Sequence, residues 1–312
     1  MIEGLEVRDA HVRRAVETAR STPLNDVLEV ARDYITLTKP RIISLLLLTT
    51  VATMFVADPT GPPLSTILWT MLGGYLAAGG AGAINHFVDR KRDARMARTS
   101  SRPLVNGRIT PINGLVFGIT LGAIAFFQLW ITVNLLAASL AMVGLLGYVF
   151  LYTVWLKPIT PQNIVIGGGA GAVPPLVGWA AATGSLTLEA LWPFLIIFFW
   201  TPPHFWALSL MIKEDYERTG VPMLPVVKGE AETRRQIVIY TFVMVAVTIG
   251  PVITGLLGAF YLASALILGG IFIVFSVGLY RHPAPALNLR TYLYSLGYLA
   301  LLFVAMAVDA VA

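Results

Sequence analysis

The chain has 312 residues, 56% of them hydrophobic and 12% charged, with a formal net charge of +5 and no cysteine. A soluble domain carries about 25% charged residues, so this composition, with a mean hydropathy of +0.75, describes an integral membrane protein. The absence of cysteine excludes disulfides, thiolate metal sites and a cysteine nucleophile.

Residues 1–40 form a polar arm with seven acids (Glu3, Glu6, Asp9, Glu17, Asp26, Glu29 and Asp33) set against its arginines. Transit peptides are poor in acids and signal peptides have an apolar centre, so the arm reads as a cytoplasmic N-terminal extension, partly helical along the interface. Apolar runs of about 20 residues then predict nine spans, near 42–58, 65–84, 112–131, 135–155, 163–182, 190–211, 236–255, 259–280 and 291–310. The fold class expected is an all-α polytopic bundle over 41–312. Every Lys and Arg falls in the arm, in the second, fourth, sixth and eighth connections, or at the borders of those connections. The opposite-side connections and the C-terminus hold only Asp58, Glu189 and Asp309 as charged residues. The positive-inside rule then places the N-terminus and the charged loops in the cytoplasm and the C-terminus outside. It also explains the basic charge without any nucleic acid.

The end of the second span carries Asn85, Asp89 and Asp93, four residues apart. Groups at i, i+4 and i+8 project from nearly one helix face, drifting about 40° per step. Acids amid arginines at a helix end also serve as surface ion pairs, each worth at most about 1 kcal/mol. A second acid-bearing extension, Lys213-Glu214-Asp215-Tyr216-Glu217-Arg218, follows the sixth span. The four-span separation of Asp89 and Asp215 suggests a duplicated four-helix unit, about 41–160 and 161–285, with a ninth helix added.

Mg²⁺ takes one or two carboxylates together with phosphate oxygens and water. Asn85, Asp89, Asp93 and Asp215 are therefore candidates for holding such a metal across a cavity. Arg90, Lys91, Arg92, Arg95, Arg98, Arg102 and Lys228 are candidates for contacting phosphate, with arginine giving bidentate contacts. Glu214 and Glu217 read as solvated. His86 and His204, near the cytoplasmic ends of the second and sixth spans, suit a base, a hydrogen-bonding group or an axial ligand to haem iron. Thr201-Pro202-Pro203-His204 predicts a break in the sixth span, and the run from Gly167 to Pro175 predicts close contact or a kink in the fifth. Tyr152, Trp155 and Trp206 suit an aromatic belt or a pocket for a flat ring.

Asn-x-x-x-Asp-x-x-x-Asp at Asn85, Asp89 and Asp93 resembles the first signature of the UbiA-type intramembrane prenyltransferases. Four further stretches are similar to the protoheme IX farnesyltransferase (haem O synthase) branch: 37–41, 93–104, 152–175, and 203–209 with 215–226. The resemblance implies nine helices around a central cavity open to the membrane, and transfer of farnesyl from farnesyl diphosphate to the 2-vinyl group of haem b. Water adds in the same reaction. It implies Mg²⁺ on Asp89, Asp93 and Asp215 with Asn85 assisting, and diphosphate contacts from Lys39, Arg41, Arg92, Arg98, Arg102, Lys157, Lys213 and Lys228. His86, His204, Tyr152 and Trp206 are then candidates for the haem or prenyl pocket. It further implies residence in the cytoplasmic membrane and handover to a haem A synthase or a haem-copper oxidase assembly. One departure is plain: many members carry a second Asp-x-x-x-Asp, whereas Asp215 here is followed four residues later by Thr219. Lys213 is expected to supply a fixed charge in place of part of a second metal. The alternatives are a related prenyltransferase acting on a quinone precursor or chlorin ring, and a secondary transporter of an anionic solute, for which charges near the midplane are expected.

Overall fold

A computed structural model describes residues 23–312. The acids Glu3, Glu6, Asp9 and Glu17 of the arm lie outside the described residues. Within the described part of the arm, Pro23–Thr38 is a helix. It is anchored at its C-terminal end, where Leu37 is buried, Tyr34 meets Phe117 edge-on at 4.9 Å and Asp33 pairs with Arg108 at 2.7 Å. Val27, Leu28 and Val30 on the same helix are exposed, as suits an amphipathic segment lying at a membrane surface.

Nine helices among the described residues are long and apolar enough to cross a membrane. They are Pro40–Ala57, Leu64–Asp93, Pro111–Thr132, Leu135–Ile159, Asn163–Thr183, Leu188–Met211, Gly229–Ile253, Ala259–Arg281 and Pro285–Val311, called here the first to ninth spans. The apolar runs predict the crossings well. Three helices extend beyond them: the second runs on to Asp93, the seventh begins at Gly229 and the ninth at Pro285. Hydropathy marks only the lipid-facing length, whereas backbone hydrogen bonding continues until a breaker intervenes.

Neighbouring spans pack in chain order and the ninth returns to the first, closing a ring. Across its interior the first span also packs on the fifth and the sixth on the ninth. Small residues permit the tightest approaches. A Cβ at Gly80 would stand 2.7 Å from the Gly118 carbonyl oxygen, and one at Gly178 would collide with that of Thr50. Outward-facing Ile131, Leu188 and Ile253 are about four-fifths exposed, as expected of a surface solvated by lipid tails.

Two local features depart from the sequence expectation. The sixth span is not broken: Pro202 and Pro203 lie inside a continuous helix, Leu191–Met211. Neighbouring helices tolerate such prolines within a bundle, and here the fifth span presses on the turn, with Gly168 against the Thr201 side chain. Trp206 does not belong to an aromatic belt. It is only 1% exposed and packs edge-on against Tyr240 at 5.2 Å, whereas Trp155 is exposed at 61% as a belt residue should be. The glycine-rich fifth span does divide, into Asn163–Gly171 and Val173–Thr183. The fourth span holds a surprise, a π-helical stretch from Gly147 to Leu156.

Candidate active site

The second span carries Asn85, Asp89 and Asp93 to the mouth of the ring, and all three are buried, at 4%, 2% and 4% exposure. Buried charges need partners, and each is supplied from elsewhere in the chain. Asp89 accepts from Lys157 Nζ at 2.5 Å on one oxygen and from Arg92 at 3.1 Å on the other. Asn85 donates to Asp89 at 2.9 Å and to Thr153 Oγ1 at 3.1 Å. Its carbonyl accepts from Lys39 Nζ at 2.6 Å. Asp93 pairs with Arg102 at 2.5 Å, and its backbone carbonyl accepts from Thr99 at 2.9 Å. This is not a set of exposed surface pairs: two carboxylates and four cations form one semi-buried network.

The π-stretch explains how the fourth span contributes. In an α-helix, residues nine apart point to opposite faces, because each turn takes 3.6 residues. At about 4.4 residues per turn in a π-helix, Tyr148 and Lys157 return to the same face. Lys157 there reaches Asp89, Tyr148 accepts from Lys39 at 3.4 Å, and Thr153 donates to the Tyr148 carbonyl five residues back. Tyr148 and Tyr152 stack at 5.5 Å. π-Segments recur at functional sites.

Lys39 occupies the turn between the arm helix and the first span with φ 60° and ψ 56°, the one non-glycine residue at positive φ among the described residues. A side chain pays for that conformation, and here it aims an ammonium into the network. Burial, then the charges of Arg102 and Lys157, push the Lys39 pKa down to about 7, against a partial upward pull from Asp89 and Asp93. An arriving polyanion relieves that crowding of positive charge.

Asp215 is buried and accepts from the Ala97 backbone N–H at 3.2 Å, so the two mouth loops meet at this carboxylate. Arg218 stands 3.6 Å from it. Tyr216 packs with Met96, Val221 and Met223, with Tyr152 against them. Burial raises its pKa to about 12, Arg98 pulling it down and Asp89 and Asp215 adding to the rise, so its hydroxyl stays a donor.

Other predicted residues stand apart. Lys213 bridges Glu217 at 3.4 Å and Glu230 at 3.6 Å rather than serving Asp215; an adjacent carboxylate captures a flexible lysine before a more distant one can. Arg41, Lys91, Arg95, Arg98 and Lys228 are exposed, and Arg90 turns back onto the Phe87 carbonyl at 2.6 Å. Glu214 is exposed. His86 is buried with no partner at Nδ1. His204 is stacked between Trp200 (4.2 Å) and Tyr292 (4.9 Å). Its Nδ1 lies 2.6 Å from Ser295 Oγ, whose own proton goes to the Tyr292 carbonyl. Nδ1 is therefore the donor, and Nε2 keeps its lone pair.

Among the described residues no three carboxylates or imidazoles converge as a metal cage, and Asp215 lies across the mouth from the pair Asp89 and Asp93. The donors are all hard oxygens. That fits Mg²⁺, which takes a carboxylate or two and completes its shell with phosphate and water. Beneath the network an apolar cleft of about 1000 Å³, counting its open mouth, descends between the first, second, fourth and fifth spans. Lys39 and Tyr148 line its head. The sixth to ninth spans contribute none of its wall, so it lies to one side of the ring rather than at its centre.

A buried acid–base network above an apolar cleft is one feature, and the match of the UbiA prenyltransferase family to residues 46–305 is a second. The chain belongs to the UbiA prenyltransferase family. Within that family it is 54% identical to the protoheme IX farnesyltransferase of Roseiflexus sp. (strain RS-1), over 98% of this chain and 57% of that protein. It is 53% identical to the protoheme IX farnesyltransferase of Symbiobacterium thermophilum, over 90% of this chain and 95% of that protein. The chain thus spans about half the length of the Roseiflexus, Chloroflexus and Thermus relatives and nearly all of the Symbiobacterium one. Two solved UbiA-type folds superpose on it. A digeranylgeranylglyceryl phosphate synthase does so with a TM-score of 0.74 at 18% identity, covering 91% of this chain and 99% of its own. A UbiA homolog from Archaeoglobus fulgidus, described as bound to DMAPP and Mg²⁺, does so with a TM-score of 0.62 at 15% identity, over 88% and 99%. At those identities they speak to the fold alone.

Proposed function

We propose that this UbiA-family protein transfers the farnesyl group of farnesyl diphosphate to a vinyl group of protoheme IX, with addition of water, in a Mg²⁺-dependent reaction. The observation that carries the reading is the placement of Asp89, Asp93 and their four cations directly over the head of an apolar cleft. A prenyl diphosphate has the same layout, a polyanion on an apolar chain. The haem acceptor is drawn from the relatives that share about half of this sequence.

Asp89 and Asp93, with Asn85 and Asp215 at the margin, would hold Mg²⁺, which when bound offsets the negative charge gathering on the leaving diphosphate. Arg102, Arg92 and Lys157 move from carboxylate oxygens, and Lys39 from the Asn85 amide oxygen, to phosphate oxygens, and arginine does so bidentately. The allylic C–O bond breaks with both electrons leaving on the diphosphate. Tyr148, at the head of the cleft and backed by the stacked ring of Tyr152, favours the resulting cation through its π-electrons. The vinyl π-pair then forms the new C–C bond, and the cation left on the ring substituent takes hydroxide from water with release of one proton. The apolar cleft keeps water from the first cation. The Trp200–His204–Tyr292 stack offers a flat aromatic surface for the ring, with His204 Nε2 available to its iron or to a proton.

The charge distribution supports a cytoplasmic mouth, with the N-terminus inside and the C-terminus outside the cell membrane. Two related four-span halves, about 41–160 and 161–285, would each bring one acid-bearing loop to the mouth, where Asp215 accepts from the Ala97 N–H. The test uses the full chain in lipid nanodiscs with haem b, farnesyl diphosphate and MgCl₂, and an EDTA control. Mass spectrometry should show haem gaining a farnesyl group plus water, only with metal. Unmodified haem alongside a prenylated quinone precursor would overturn the acceptor, and no transfer to either would overturn the reading.

A further inference from the structure

We propose that the floor of the apolar cleft measures the prenyl chain, admitting three isoprene units and refusing a fourth. This rests on the prenyltransferase reading and adds a specificity element to it. The cleft begins at Lys39 and ends at Thr50 on the first span, eleven residues apart, or about 16 Å along a helix axis. An extended farnesyl chain advances about 1.25 Å per carbon–carbon bond of 1.5 Å, reaching about 14 Å, whereas a geranylgeranyl chain needs about 19 Å. Below Lys39 the lining carries no charged side chain, so only a hydrocarbon is suited to it.

The floor is built by an absent side chain. Thr50 and Val177 are the deepest lining residues of their helices. Beside Val177, Gly178 lets the fifth span lie directly against the Thr50 carbonyl, where any Cβ would collide. No chain passes between helices in backbone contact. Met54, fully buried and one turn beyond Thr50, packs in one cluster with the cleft-lining Ala77, Ala141 and Val177. The cleft opens sideways past Ile42, which is 62% exposed and a single turn below Lys39 at the head, so this opening adds no length for a chain seated toward the floor.

Gly74 gives the means of testing this. It lines the cleft beside Leu47, about 12 Å below Lys39, and a Cβ there meets only the Leu47 Cδ2 at 3.1 Å, the end of a flexible side chain. Gly74→Leu therefore fills the place of the third isoprene unit without a backbone clash. Binding of non-hydrolysable geranyl, farnesyl and geranylgeranyl thiolodiphosphates to the full chain in nanodiscs is measured directly, with product mass as a second readout.

The wild type should prefer farnesyl over geranylgeranyl by about tenfold or more, as pockets that discriminate by methylene count do. Gly74→Leu should weaken farnesyl by a similar factor and leave geranyl unchanged. Val177→Ala with Met54→Ala should bring geranylgeranyl up toward farnesyl, and this deepened variant carries the test should Gly74→Leu fail to fold. Equal binding of all three chains by the wild type, or preferences unmoved in the variants, would overturn the floor and leave the prenyltransferase reading standing. Absence of any binding or transfer by the wild type would instead remove that reading.

Discussion

Between the first, second, fourth and fifth spans the second span turns only small residues inward, Gly74, Ala77, Ala78 and Ala81 among them, and a cleft remains. Between the sixth, eighth and ninth spans the inward residues are Trp200, Tyr261, Phe272, Tyr298 and Phe303, and they fill the space. Phe272 meets Tyr294 and Tyr298 at 5.7 and 5.3 Å, within the range where aromatic pairs attract. Polarity follows the same division. The acids of the second span are met by cations at 2.5 to 3.1 Å, whereas Asp215, following the sixth, is held by a backbone N–H and stands 3.6 Å from exposed Arg218. One half leaves volume and concentrates charge above it; the other supplies a stiff packed wall. Apart from the Trp200–His204–Tyr292 stack proposed to receive the ring, function and stability are thus separable by residue, which gives the comparison its tests.

The largest effect is expected at Asp89. Asp89→Asn keeps the shape and removes the charge, so Lys157 and Arg92 lose their shared anion and the proposed metal site loses a ligand. Turnover should fall by about three orders of magnitude, comparable to removing a main electrostatic stabiliser of a transition state. Helix content by circular dichroism should be retained. Near-normal product formation would take Asp89 out of the metal site and undo the contrast between the halves.

Much of this arrangement was legible in the residues. Nine apolar runs and the one-sided distribution of Lys and Arg give the spans, because lipid leaves few other solutions for a backbone. The four-residue spacing of Asn85, Asp89 and Asp93 gives their common face. The place of Lys157 in the network was expected from the resemblance alone, because its partner depends on a π-stretch that no 3.6-residue periodicity announces. Tyr148, missed altogether, depends on the same stretch, and the only available signal was its nine-residue spacing from Lys157. Pro202 and Pro203 misled because a proline's effect is decided by the neighbouring helix, and Trp206 because one side chain's burial is decided by the whole ring. Lys213 misled because nearby Glu217 and Glu230 compete for it.

The second half should respond in the opposite sense. Phe272 is fully buried, and Phe272→Ala opens a cavity that neighbouring rings cannot close. A loss of about 3 kcal/mol in stability is expected, chiefly from packing contacts, seen as a lowered midpoint in thermal or denaturant unfolding in detergent. Activity per folded molecule should stay within about twofold, since no residue of the acid–base network touches this ring. A large loss of turnover with stability intact would show that the packed wall takes part in the chemistry.

The finest distinction lies within the network itself. Arg102→Lys preserves the charge facing Asp93, so a role limited to ion pairing predicts little change in either stability or activity. A phosphate-binding role predicts more, because a guanidinium offers two parallel donors to a phosphate and an ammonium behaves as a point charge. The apparent KM for farnesyl diphosphate should rise about tenfold, near the 1.4 kcal/mol that one lost charge-assisted hydrogen bond represents, while the unfolding midpoint stays put. KM is the deciding quantity, since Arg102, 2.5 Å from Asp93, would serve the fold through its charge and, on the proposed reading, the substrate through its shape. An unchanged KM would leave it a structural partner of Asp93 and nothing more.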